Sequence, residues 1–393
     1  FGPVAPTYKT LADVEPRVPV SAATTPGDSN SVFRITAPGA YYLTTSVKGV
    51  ANRHGIEIAV SGVHLDLNGF AVIGVPGSLT GVNVEAFVPN VTVRNGSVLQ
   101  WGQSGVVLRS DGGSVRDVLT SDNGVYGISL DGSFGATISG CNAVFNGQSG
   151  TGGGIRAGTG AVVSECAAQA NIGPGFIIAS GVIRGCTASS NGGEGIVLGA
   201  GVAEACVVRS NTLAGIRISD FDGRVSGCSI TNNGASGINA AQSAGVHAAQ
   251  GRATIEHNHI ATNAGFGVVL TGAGSVVVAN AFAGNPSGTV QAAAGNIVGP
   301  SVTPATVATN TNATSGGAAS NIGMEQAARA PADGYTLVIN ADNVALFPHL
   351  YQRLPYDLFR DFAPISYLAA TPMVVASHPS VPAQTLDALI ALG

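Results

Sequence analysis

Residues 186–211 read CTASSNGGEGIVLGAGVAEACVVRSN, and this stretch repeats itself. Cys186 and Cys206 stand twenty residues apart, as do Asn191 and Asn211, and Gly195-Ile-Val-Leu returns as Gly215-Ile-Arg-Ile. Working outward, the asparagine mark continues at Asn123, Asn146, Asn171, Asn233, Asn263 and Asn285. The Gly-apolar mark recurs as Gly127-Ile-Ser-Leu, Gly175-Phe-Ile-Ile and Gly267-Val-Val-Leu. Cysteine fills its own position at 141, 166, 186, 206 and 228, then yields to Asn258 and Asn280. Looser versions precede these, at Gly55-Ile-Glu-Ile, Gly81-Val-Asn-Val and Gly105-Val-Val-Leu.

Short alternating strands separated by Asn/Gly turns at a fixed period mark a solenoid, because one coil cannot bury its apolar face alone. Ten coils at one strand spacing each predict a rod of roughly 50 Å. Two roles are expected of the asparagines: supplying the left-handed turn conformation and bonding amide to amide between coils. The cysteines are expected to face inward as small, inert hydrophobes in a narrow interior.

Composition narrows the function. Fifty-six glycines and 10% charged residues describe a chain of turns and small side chains. A net charge of −5 without a Lys/Arg cluster lacks the basic footprint of a nucleic-acid binder. No apolar run approaches the ~20 residues of a membrane helix. No Cys-x-x-Cys pair proposes zinc or redox work. Phe1 is no initiator and no signal-like segment precedes the repeats, so the chain reads as mature or truncated.

The segments ITAPGAYYLTTSV, GIEIAVSGVHLDLNGFAVIG and VTVRNGSV, followed by the Asn-Gly-x-x-Gly-Ile repeats, resemble the right-handed parallel β-helix proteins of the pectate-lyase-like superfamily over about residues 30–300. The resemblance implies an all-β solenoid on the cell exterior, with no single activity, since that superfamily mixes lyases, hydrolases, epimerases, tailspikes and adhesins. Residues 1–29 are expected to be an extension and 301–315 a linker. From about 316 to 393 the chain resembles part of the periplasmic substrate-binding proteins of tripartite tricarboxylate transporters. Asp333-Gly334-Tyr335-Thr336-Leu337, Leu354-Pro355-Tyr356-Asp357 and Asp361-Phe362-Ala363-Pro364 carry that likeness. It implies a small α/β fragment whose ligand loop would be Asn340-Ala341-Asp342-Asn343, with half of a two-lobed cleft.

In the solenoid the residue two after each strand glycine points outward. This predicts a surface ladder of Glu57, Asn83, Val107, Ser129, Arg156, Ile177, Val197, Arg217, His247 and Val269. Three clusters stand out for chemistry. Arg109, Asp131 and Arg156 could bind uronate carboxylates or act as a lyase site with Ca²⁺, or form a solvated cross-coil ion pair. Asp220 and Asp222 could serve an inverting glycosidase beside Arg217, Arg224 and His247, or simply build a turn. Glu256, His257 and His259 suggest a metal, but a bend beside Asn258 would split the histidines. Longer turns at 146–154 and 233–245 wall an apolar strip of Ile177 and Val197, which with Arg217 and His247 is the expected binding surface.

The sequence-level expectation is therefore a secreted β-helix presenting a surface toward polysaccharide or cell-surface material, without a cofactor. The opposing reading is a lyase or glycoside hydrolase acting on an acidic polysaccharide. Self-association, or docking of the C-terminal fragment, would compete for the same strip. Neither a nucleic-acid partner nor a membrane span is expected.

Overall fold

The computed structural model describes residues 16–299 and, beyond them, residues 324, 328–329, 354 and 356–363. The chain divides into two compact units, Phe1–Pro304 and Ala305–Gly393. Residues 16–299 contain strands and turns and no helix.

Three sheets run the length of the first unit, and each coil contributes to them in turn. The first begins with Ser31–Ile35 and His54–Ile58 and ends with Gly288–Ala292. The second begins with Val18–Pro19 and Gly39–Tyr42 and ends with Ile297–Val298. The third runs from Val47–Lys48 to Ala281–Ala283. Every strand pairs in parallel, one isolated antiparallel bridge joins Pro26 to Phe33, and about thirteen coils are stacked. More coils form than the ten expected, partly because Val18 and Pro19 pair with Tyr41 and Tyr42. Val18 and Pro19, which fall in the segment expected to be an extension, thus pair into the second sheet. They carry no Gly-Ile mark, so periodicity alone misses them.

The alternating strands bury one row each. Ile128 pairs with Val106 and Ile155, Phe176 with Ile155 and Ile196, and all are sealed from solvent. Burying each such side chain contributes about 1.5–3 kcal/mol. The interior is not as narrow as expected, for Trp101 and Phe176 lie fully inside it.

The turns divide their labour differently from the expectation. The left-handed residue is the one before each ladder asparagine: Asp122, Phe145, Ala170, Ser190, Ser210, Asn232 and Thr262 have φ of 57, 55, 52, 55, 56, 57 and 54°. The asparagine itself faces inward and does the bonding. Asn191 Oδ1 accepts both the backbone N–H (3.1 Å) and the side-chain amide (2.9 Å) of Asn171. Its own amide donates to Asn211 Oδ1 at 2.9 Å and to Ala168 O at 3.0 Å. The same pattern runs from Asn123 to Asn285.

A similar correction applies to the cysteines. All five are buried and free, yet they are polar rungs as well as hydrophobes. Backbone N–H groups of Cys141, Cys166 and Cys206 donate to the sulfur one coil on, each at 3.4 Å. Each thiol in turn donates to a carbonyl two residues back, as Cys166 does to Ser164 O at 3.2 Å. This explains why Asn258 can replace cysteine: it accepts the Cys228 N–H at 2.9 Å. The bond to Cys141, reinforced by burial, pushes the Cys166 thiol up to about 12, and the bond to Cys166 together with burial raises Cys186 as well. The sulfur bonds lower Cys141 and Cys206 instead, but burial keeps all five thiols from reagents. In the folded protein none of the five is expected to react with Ellman's reagent over the time that labels all five in denaturant. Fast labelling of one thiol under native conditions would show that the ladder is open there.

In the second unit, Asp357 anchors a turn by accepting the backbone N–H groups of Phe359 and Arg360, both at 3.0 Å. Tyr356 meets Phe362 edge-on at 5.8 Å. The Gly334-Tyr335-Thr336-Leu337 segment and the loop at 340–343 lie outside the described residues.

Candidate functional site

The outer ladder is in register along its whole length. Arg34 pairs with Glu57, then follow Asn83, Val107, Ser129, Arg156, Ile177, Val197, Arg217, His247 and Val269. One face of the first sheet therefore carries a continuous file of side chains at one per coil.

Its middle is built from two ion pairs with apolar side chains between them. Arg156 reaches back one coil to Asp131, with Nη2 to Oδ2 at 3.0 Å. The guanidinium lies over the Tyr126 ring, 5.7 Å from its centre, and Nη1 donates to the phenol oxygen at 3.5 Å. Next along the file come Ile177 and Val197, the latter only 7% exposed. Then Arg217 reaches back to Glu194, Nε to Oε1 at 2.9 Å. His247 follows, with Nε2 3.4 Å from Thr271 Oγ1. Burial, helped by the charge of Arg217, lowers the His247 pKa and favours its neutral form.

Two glycines keep the strip flat. A Cβ on Gly158 would lie 2.3 Å from Ser133 O, and one on Gly199 would lie 1.9 Å from Ala179 O, so no larger residue fits where the sheet bends. The long turns stand on the edge leading into this sheet, just before Arg156 and just before His247. Ser149 ties the first to Gly124 O, through its N–H at 2.8 Å and its hydroxyl at 2.6 Å. Asn239 organises the second by accepting the Gln242 N–H at 3.0 Å. The four expected binding residues thus share one line.

The expected catalytic groups are placed less evenly. Asp131 and Arg156 meet, whereas Arg109 makes no ion pair with either. Asp220 bonds the N–H of Phe221 at 2.8 Å within a turn. Asp222 sits in the left-handed region (φ 64°) and pairs with Arg252 at 2.6 Å, while Arg252 covers Phe221 at 4.9 Å. Arg224 is held by Glu256 at 2.6 Å. The bend beside Asn258 falls on His257 (φ 55°), and no group of three or more His, Cys, Asp or Glu among the described residues is placed to hold a metal ion.

Periodicity missed a denser charge cluster at the N-terminal end of the same face. Arg34 contacts Asp28 at 2.7 Å, Glu57 at 3.4 Å and Glu85 at 2.6 Å. The Arg34 hydrogen bond holds the Asp28 carboxyl well below the usual carboxylate range. Glu57 is 6% exposed, and its Oε2 accepts no hydrogen bond. Beside it, His54 Nδ1 accepts the Thr80 N–H at 3.2 Å, and burial favours the neutral ring. Arg34 and Asp28 precede the repeats, so only Glu57 and Glu85, at outward positions after Gly55 and Gly81, carry a sequence signal. Exposed aromatics also carry no repeat signal: Phe87, 96% exposed, stands on a turn and Phe134 ends the strand Tyr126–Phe134.

The family model for the right-handed β-helix region matches residues 79–219 and 199–311, more than half of the chain. The chain belongs to the right-handed β-helix family. The A-module of the mannuronan C-5 epimerase AlgE4 from Azotobacter vinelandii is similar to this β-helix with a TM-score of 0.50 and 16% identity, over 66% of this chain and 91% of that one. A tailspike protein mutant of E. coli bacteriophage HK620 is similar with a TM-score of 0.50 and 16% identity, over 67% of this chain and 58% of that one. At such identities the likeness is one of fold.

A second model, the tripartite tricarboxylate transporter family receptor, matches residues 304–392. Protein BugT of Bordetella pertussis is 35% identical over 77 residues, covering 19% of this chain and 24% of BugT. An Agrobacterium vitis protein from the TAR-I ttuE-ttuC' intergenic region is 31% identical over 77 residues, or 20% of this chain and 22% of its own length. The chain thus spans about a quarter or less of the curated relatives it matches.

Proposed function

We propose that the β-helix is an extracytoplasmic scaffold that binds polysaccharide along the outer face of its first sheet without turning it over. The observation that carries this reading is the straight file Arg156, Ile177, Val197, Arg217 and His247, with Asp131, Tyr126 and Glu194 beside it. It offers apolar contact at Ile177, a nearly covered Val197 beside it, and polar groups on either side, which suits a repeating chain of sugars. One of the structures similar to this β-helix belongs to a mannuronan C-5 epimerase, which supports a polysaccharide as the ligand. Every carboxylate in the middle of the file is tied to an arginine, so no pair of carboxylates faces an open site there. No helix among the described residues is long and apolar enough to cross a membrane. Export is supported by the match to a transporter receptor family.

The full chain is expected to bind immobilised polysaccharide in a pull-down panel. Replacing both arginines, Arg156→Ala with Arg217→Ala, is expected to weaken binding at least about tenfold, as loss of two charged hydrogen-bonding groups implies. Unchanged binding in that double variant would sink the assignment of the face, and product formation would sink the claim of no turnover.

A second reading, an acidic-polysaccharide lyase or hydrolase, is favoured by the N-terminal cluster, where the buried Glu57 carboxylate faces Arg34 at 3.4 Å through an oxygen that accepts no hydrogen bond. Under it, Glu57→Gln abolishes turnover and leaves binding intact.

A further inference from the structure

We propose that this face selects an uncharged, β-1,4-linked polysaccharide and grips sugars three coils apart through the Asp131–Arg156 and Glu194–Arg217 pairs; this rests on the binding reading given above.

The two grips are built alike. In each, an arginine stands on the ladder and reaches back one coil to a carboxylate, at 3.0 Å and 2.9 Å. A guanidinium beside a carboxylate sets hydrogen-bond donors next to acceptors. That arrangement matches a vicinal diol, whose hydroxyls each donate and accept. A carboxylate on the sugar would instead meet Asp131 or Glu194 as a like charge. The charges also cancel: two arginines face two carboxylates, His247 is held toward neutrality, and the whole chain is at −5. A surface for a polyanion would carry a net positive potential.

Spacing sets the number of sugars. Arg156, Ile177, Val197 and Arg217 are successive Cα partners, so the arginines are three strand steps apart, roughly 14 Å. One pyranose of an extended chain advances by about one such step. Four sugars therefore reach from grip to grip, with the two middle rings over Ile177 and Val197.

The carboxylates lie on opposite edges of the file: Asp131 follows the ladder residue Ser129 by two, whereas Glu194 precedes the ladder residue Val197 by three. Sugars in a β-1,4 chain flip at each link, so those three apart show their diols to opposite sides. That is the asymmetry of the two grips.

The test is calorimetric titration of the full chain with β-1,4-linked mannose and glucose oligosaccharides of two to six sugars, and with galacturonate oligomers of the same lengths. The expected result is a sharp gain in affinity for the neutral series between three and four sugars, little dependence on salt, and about tenfold weaker binding in Asp131→Asn and in Glu194→Gln. Tighter binding of galacturonates, strengthened by Asp131→Asn, would overturn neutrality. Neutral binding with no step at four sugars and no effect of either variant would overturn the two-grip ruler while leaving the binding face in place. Failure of every oligosaccharide and of the polysaccharide panel would remove the binding reading itself. Circular dichroism of both variants checks that their fold is retained.

Discussion

Asn191→Ala is expected to lower the stability of the solenoid by at least about 3 kcal/mol. The side chain makes four hydrogen bonds inside a sealed column, two accepted from Asn171 and two donated, to Asn211 and Ala168. Alanine leaves the Asn171 N–H and one of its amide hydrogens without their protein acceptor. Each buried group so orphaned costs about 1–3 kcal/mol. Because each coil is stabilised only through its neighbours, the loss falls on the interface between two coils and divides the rod there. The comparison is Asn239→Ala, on the exposed long turn, where a single bond to the Gln242 N–H is lost. That change is expected to cost less than about 1 kcal/mol. Urea unfolding followed by circular dichroism measures both. Equal, small effects would mean the amide column adds nothing beyond the strand pairing.

The column also shows how far the sequence could be read. A period of twenty with Asn, Gly-Ile and Cys marks announced the solenoid, its core rows and its outward file, because those depend only on alternation and stacking. What stayed hidden was the division of work within a turn. Ser190 and Ala170 adopt the left-handed conformation although nothing in their chemistry advertises it, and the neighbouring asparagine holds them there by bonding across coils. Likewise the cysteine position could not be seen as a hydrogen-bonding rung until Asn258 was found accepting the same kind of N–H.

The site was legible in the same uneven way. Asp131–Arg156 and the line from Ile177 to His247 followed from register, since a fixed coil length brings equivalent positions together. Glu194 was overlooked because it lies before its strand glycine, off the ladder positions that alternation selects. The Asp28–Arg34–Glu57–Glu85 cluster was overlooked because Asp28 and Arg34 lie in coils with no repeat mark. Asp220 and Asp222 looked alike at two residues apart, yet the turn at Phe221 gives them different partners, a backbone N–H and Arg252. Spacing in sequence translates into geometry only where the chain is extended.

Trp101→Ala is expected to cost about 3–5 kcal/mol, and the damage is expected to stay in the coils N-terminal to it. Trp101 is 1% exposed and is the chain's sole tryptophan. It occupies the head of the asparagine column: its N–H donates to Asn123 Oδ1 and its indole N–H to Val72 O, both at 3.0 Å. Its ring extends across the coils of Gly49, Gly55 and Gly81, where added Cβ atoms would lie 2.8, 2.8 and 2.9 Å from the ring. Glycines cannot collapse into the space the indole leaves, so the cavity persists and Val72 O loses its donor. The coils beyond Asn123 keep their own amide column and core. Hydrogen exchange followed by mass spectrometry is therefore expected to show protection lost across residues 16–100 and kept across residues 123–285. Loss along the entire rod would mean the coils fold as one cooperative unit, and then Asn191→Ala would be felt at Trp101, where wild-type fluorescence reads out the N-terminal coils directly.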